Sequence, residues 1–153
     1  MLIQKMTFPD LDKVATLYQD ANSFAKKKDI FEWTKEGLMK FPNFNLVYKK
    51  NEKIIGAISA ILLSKGKVEI NDIAIQKKYR GQTIGSKLLK RLIKEFKKEG
   101  IKKITLWVHW SNARAIPFYY KLKFQIKKCT KTSNIDNVPN GEDIICLEQI
   151  IQP

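Results

Sequence analysis

The apolar positions change period twice along the chain. In "DLDKVATLYQD" Leu11, Val14, Ala15, Leu17 and Tyr18 recur three and four apart. That spacing predicts a helix opened by Pro9 and Asp10, with "AKKKD" as its solvated end. Thr34 is expected to cap a second short helix that stops before Pro42. Elsewhere in the first half the pattern is strand-like, in "LIQKM", "FNLVYKK", "KIIGAISAILL" and "VEINDIAI". "KNEK" and "SKGK" are turns, so the last three of these segments read as an antiparallel meander. Helical spacing returns with Ile84, Leu88, Leu89, Leu92, Ile93 and Phe96, and Gly100 closes that helix. "KKITLWVHW" is a strand. "NARAIPFYYKL" is a helix capped by Asn112 or Ser111, in which Pro117 distorts the turn or marks a late start. "FQIKKCTK" and "EDIICLEQ" form a closing hairpin. The order β-α-α-β-β-β-α-β-α-β-β predicts an α/β sandwich on one mixed sheet.

Composition narrows the class. The 153 residues suffice for one domain, taken as 1–153, and 44% of them are apolar, as in a globular chain. The longest apolar stretch, about residues 54–63, is too short for a membrane-spanning helix. The start has no charged-then-apolar leader pattern, and a cytoplasmic protein is expected. The formal net charge of +14 favours polyanionic partners, although lysines spread over solvated faces explain much of it. Cys129, Cys146 and a lone His109 offer no metal-ligand spacing. No metal site is expected, and the two cysteines, brought near each other by the closing hairpin, are expected as free thiols.

The chemistry concentrates in "NDIAIQKKYRGQTIGSKLL". A strand, a loop and a helix beginning near Ile84 place unpartnered helix N–H groups at the end of a glycine turn. Those groups carry partial positive charge and can donate hydrogen bonds to a phosphate. Gly81 and Gly85 allow close backbone approach, and Lys77, Lys78 and Arg80 add cations. The spacing is neither a Walker A loop nor the G-x-G-x-x-G dinucleotide turn. An ordinary helix N-terminus with a turn glycine gives the same spacing.

The loop resembles the acetyl-coenzyme A signature of the GNAT N-acetyltransferases, Q/R-x-x-G-x-G/A. Arg80, Gly81, Gln82, Thr83, Ile84 and Gly85 fill it in register, with Thr83 where the central glycine belongs. Downstream, Asn112, Ala115, Phe118, Tyr119 and Phe124 match the family's second pattern, and Lys123 replaces its usual glycine. The resemblance covers about Val68 to Phe124. It implies a mixed, mainly antiparallel sheet flanked by about four helices, with a splayed pair of parallel strands. It also implies that the main chain of Ile73, Ala74 and Ile75 holds the pantetheine arm. Arg80 and the backbone from Gly81 through Gln82, Thr83, Ile84 and Gly85 to Ser86 would hold the pyrophosphate. A β-branched residue resists positive φ, so Thr83 is acceptable there only if helical. Rearranged or weaker cofactor binding is expected from it, not loss.

The implied activity is acetyl transfer from acetyl-coenzyme A to a primary amine, on a protein N-terminus, a lysine or a small molecule, by direct attack on the thioester. That needs a base for the ammonium and a proton donor for the leaving thiolate. Glu69 is preferred as base. Asp72, three residues on, points the other way under ideal alternation, unless a bulge reverses it. Tyr119 matches the family tyrosine at the coenzyme sulfur. Asn112 either contacts the pantetheine or caps its helix. His109, flanked by tryptophans, is read as packing. The aromatic residues Phe24, Phe31, Trp33, Phe41 and Phe44 line an acceptor pocket or belong to the core. A homodimer and non-specific contact with nucleic acid are compatible with the sequence. The rival reading is a basic module that binds acyl-coenzyme A or nucleic acid with little catalysis, using the lysine-rich face of helix 84–99.

Overall fold

The computed structural model describes residues 2–21, 24–135 and 138–152. Seven strands form one sheet: β1 (Leu2–Lys5), β2 (Asn45–Lys50), β3 (Lys53–Ser64), β4 (Lys67–Ile75), β5 (Lys103–His109), β6 (Gln125–Lys131) and β7 (Asp143–Ile150). Their order is β1-β2-β3-β4-β5-β7-β6. Every neighbouring pair is antiparallel except β4–β5. Helices α1 (Leu11–Ala21), α2 (Lys27–Lys40), α3 (Ile84–Lys98) and α4 (Ile116–Lys121) complete the order read from the sequence.

The two faces of the sheet bury separate apolar sets. Leu11, Val14, Leu17 and Tyr18 of α1 and Ile30 and Leu38 of α2 pack with Val47, Ile54, Ala57 and Ala74 on one face. Leu88, Leu89, Leu92 and Phe96 of α3 pack with Val68, Ile70, Ile104, Leu106 and Val108 on the other. The α3 stripe read from the sequence is this buried face. Its end is closed at Gly100, where the Ile101 N–H bonds back to the Phe96 carbonyl.

Local details differ from expectation in three places. Thr34 does not cap α2. It lies buried in the middle of that helix, whose N-cap is Lys26. The lysine cluster expected as the solvated end of α1 is instead the start of α2, because Ile30, Thr34 and Leu38 already face the core. Neither Asn112 nor Ser111 caps the last helix. A 3₁₀ segment, Trp110–Ala115, precedes it and is capped by His109, whose side chain accepts from the Ser111 N–H. Pro117 stands in the first turn of α4, so it marks the late start. Cys129 and Cys146 are free thiols; the strand register pairs them with Ile145 and Lys128 instead of each other.

Candidate active site

The parallel pairing of β4 with β5 covers only Lys67–Glu69 against Lys103–Thr105. Beyond that point the strands part, and β4 from Asn71 to Ile75 turns an unpaired edge toward the gap. On its other side β4 pairs with β3, but the register slips: Ala60 faces Ile70 and Ser59 faces Asp72. Asn71 is therefore an extra residue, a β-bulge at the mouth of the splay.

The bulge decides which side chains share a face. Val68 and Ile70 pack with α3 before it, and Ile73 and Ile75 pack against the same cluster after it. Ala74 lies in the opposite core with α1 and α2. Glu69, Asp72 and Ala74 thus point to one side. Ideal alternation would have separated the two carboxylates. The sequence did carry a signal: the apolar positions run 68, 70 and then 73, 75, a change of phase across Asn71 and Asp72.

Burial pushes the Glu69 carboxyl above its ordinary range, partly offset by a hydrogen bond from the Trp107 side chain and by nearby Lys67. Burial pushes Asp72 up to about 7. Tyr119 of α4 is buried, and its hydroxyl is pushed up to about 12, first by burial and then by the Asp72 charge. The Asp72 charge also acts on Tyr18, whose hydroxyl lies 2.8 Å from the Ser59 Oγ. Two tyrosines and two carboxylates thereby converge at the splay. Around them, Trp107 and Ser59 were not singled out in the sequence and Tyr18 was read only as part of the apolar face of α1, because nothing in their spacing links them to β4.

The glycine turn forms the other half of the site. After a 3₁₀ turn over Lys77–Tyr79, Gly81 takes φ +77° and Thr83 takes φ +68°, both left-handed. Thr83 is therefore not helical. It is the N-cap of α3 in a conformation that a β-branched side chain resists. Its carbonyl accepts the first helical bond, from the Lys87 N–H at 3.0 Å. Among the described residues no N–H of residues 81–86 donates a hydrogen bond. Alternating left-handed residues with free amides make a concave anion cradle. A Cβ at Gly85 would lie 3.4 Å from the Phe118 ring, so α4 packs at van der Waals distance on this point of α3. The Arg80 Nε turns back to the Ile75 carbonyl at 3.0 Å, joining the loop to the strand edge.

This donor set fits acetyl-coenzyme A. The free amides of residues 81–86 suit its pyrophosphate, and the open edge at Ile73, Ala74 and Ile75 suits an amide-bearing arm. The other candidates lie less centrally. Asn112 is exposed in the 3₁₀ segment, and its side chain makes no hydrogen bond among the described residues. His109 is packed as read, 4.8 Å from the Phe24 ring and 5.5 Å from Trp110. Trp33 is exposed on α2, whereas Phe44 is core.

Comparison with known proteins agrees with this geometry. An uncharacterized N-acetyltransferase of Methanocaldococcus jannaschii is 32% identical over 141 residues, 84% of this chain. The match spans 62% of that protein's length, less than two thirds of it. A putative [ribosomal protein bS18]-alanine N-acetyltransferase of Bacillus subtilis is 26% identical over 149 residues, covering 95% of this chain and 92% of that one. Among solved structures, Ard1 from Thermoplasma volcanium shares the fold with a TM-score of 0.86 at 19% identity, covering 99% of this chain and 98% of that one. The model of the Acetyltransferase (GNAT) family matches residues 10–124. This chain belongs to the acetyltransferase (GNAT) family.

Proposed function

We propose that the protein transfers an acetyl group from acetyl-coenzyme A to a primary amine by direct attack of the amine on the thioester. The observation that carries this reading is the open β4 edge, continuous with a loop in which the N–H groups of residues 81–86 have no partner among the described residues. Acetyl-coenzyme A supplies the activated acetyl group. The amides of Gly81, Gln82, Thr83, Ile84, Gly85 and Ser86 bind its pyrophosphate, and Arg80 braces that loop against the strand. The backbone of Ile73, Ala74 and Ile75 aligns the pantetheine arm beside the bulge.

Glu69 takes the proton of the acceptor ammonium, directly or through water. It sits where the strands part, and the Trp107 hydrogen bond orients its carboxylate. A raised pKa brings a carboxylate closer to the operating pH, where a general base works best. Tyr119 donates a proton to the leaving sulfur. Its raised pKa keeps the hydroxyl protonated throughout the neutral range. Asp72 is the second carboxylate on the same face and the alternative base. No helix among the described residues is long and apolar enough to cross a membrane.

Calorimetry with acetyl-coenzyme A, followed by a screen of amines for release of free coenzyme A, tests the reading. Saturable binding in the micromolar range and acceptor-dependent release are expected. No heat and no thermal shift at saturating ligand would reject it. A second, weaker activity is supported by the outer face of α3, where Lys87, Lys90, Lys94 and Lys97 are exposed and none is in an ion pair among the described residues. That face suits salt-sensitive, sequence-independent contact with nucleic acid.

A further inference from the structure

A cavity of about 30 Å³ lies between α2 and the β4 bulge. Its α2 wall is Ile30, Trp33, Thr34 and Gly37, one face of that helix, and its floor includes Ser59, Asn71 and Asp72. Thr34 and Ser59 are buried polar side chains, each 6% exposed. The Asp72 carboxylate makes no hydrogen bond among the described residues. Ser59 is already bonded to the Tyr18 hydroxyl at 2.8 Å, so the Asp72 carboxylate is the group that calls for a polar occupant in a cavity of this size.

Gly37 is the second, independent sign. A glycine inside a helix is unfavourable, and here no close contact requires it. A Cβ built at this position meets no atom within 4 Å. The packing of the protein alone does not explain the missing side chain, but an occupant beside it does. The cavity opens on the face of β4 that carries Glu69, so an amine approaching Glu69 presents its neighbouring carbon to this wall.

We propose that this pocket is the acceptor subsite, and that it takes a compact substituent ending in a hydrogen-bond donor, a hydroxyl or an amine, on the carbon next to the acetylated amine. Asp72 and Ser59 receive the donor. Trp33 and Ile30 pack on the carbon skeleton, and Gly37 leaves the room. The assignment rests on the acetyltransferase reading, and its scope is narrow: long or branched apolar substituents are excluded by the small volume. Highly charged acceptors gain little, since among the described residues Asp72 is the one ionisable group lining the cavity.

The test compares glycinamide, alaninamide, serinamide and leucinamide as acceptors, by coenzyme A release, for the wild type and Gly37→Leu. The wild type is expected to prefer serinamide over alaninamide by about tenfold in kcat/KM, a usual size for one satisfied polar contact, and to use leucinamide least. Gly37→Leu should lose about tenfold more on serinamide than on glycinamide, because only the former fills the pocket. Equal losses on all acceptors, or a wild type that favours leucinamide, would overturn the assignment. Calorimetric titration of serinamide into the coenzyme A complex separates the two proposals. Serinamide binding that Gly37→Leu abolishes, without turnover on any amine, would reject the acetyltransferase reading and keep the pocket. Turnover of glycinamide with no serinamide binding would reject the pocket and keep the activity.

Discussion

Glu69 and Asp72 lie on the same face of β4 although they are three residues apart, because Asn71 is bulged out of the ladder with β3. Two carboxylates therefore share one face of β4 at the splay in place of one. Their surroundings differ: Glu69 has the Trp107 hydrogen bond and Lys67 nearby, whereas burial alone acts on Asp72.

Glu69→Gln removes the proposed base without changing size. Turnover at neutral pH should fall by about 10²-fold, the lower range for a lost general base. The loss should shrink at alkaline pH, where the free amine forms without help. Affinity for acetyl-coenzyme A should stay within the error of calorimetry. Equal activity at every pH would remove Glu69 from this role.

Asp72 gives a stability signature. Its folded pKa of about 7 lies above the ordinary value of 3.8, so the native state binds more protons than the unfolded state between those values. Stability must then fall as pH rises through that window and stay lower above it. Asp72→Asn removes the buried charge. The variant should be more stable than the wild type at pH 8, by on the order of a few kcal/mol, and the gain should vanish near pH 4. Urea titrations at the two pH values measure it.

Tyr119→Phe tests the proton donor. The ring is packed against Phe124 at 5.7 Å, so the fold should be kept. A fall in kcat of about 10²-fold with unchanged coenzyme A affinity is expected. Because burial and Asp72 hold the hydroxyl near 12, its deprotonation should not limit the wild type anywhere between pH 6 and about 10. A pH–rate profile for kcat reads this directly.

Thr83→Gly addresses the strained N-cap. Left-handed backbone costs a non-glycine residue roughly 1–2 kcal/mol, and glycine returns about 0.5–1 kcal/mol of that through the greater freedom of the unfolded chain. The variant should be more stable by about 0.5–1 kcal/mol, a rise of about 1–4 °C in Tm for a chain of this size. Coenzyme A affinity should be equal or tighter, since the amides are already free. A lower Tm would mean that the threonine side chain contributes to holding the loop.

Much of this was legible in the sequence, for identifiable reasons. The α3 stripe from Ile84 to Phe96 has one interpretation, because a buried helix face imposes its period on every turn. The glycine turn was legible in part, since Gly81 takes the left-handed backbone a turn glycine announces, whereas Gly85 lies at ordinary φ inside α3. Thr34 misled because a polar residue before an apolar run is both a cap signal and an acceptable wall of a polar cavity. The caps of the last helix misled because His109, a residue with no strong cap preference, accepts from Ser111 where Asn112 was expected to act. The side of β4 on which Asp72 falls depends on one extra residue, and periodicity read over eight residues barely registers it. The cavity proposed as the acceptor subsite was least visible. It joins Trp33 and Gly37 of α2 to Ser59 of β3 and Asp72 of β4, segments that only the tertiary fold brings together.

The parallel seam between β4 and β5 is confined to Lys67–Glu69 and Lys103–Thr105. Mechanically the sheet is two plates, β1–β4 and β5–β7–β6, hinged at one end. A ligand lying along the free edge of β4 serves as the missing strand between them. Amide hydrogen exchange along Asn71–Ile75 should then be fast for a strand at the centre of a sheet and slow on addition of acetyl-coenzyme A. The stiffness of the whole molecule would thus report the supply of its acyl donor.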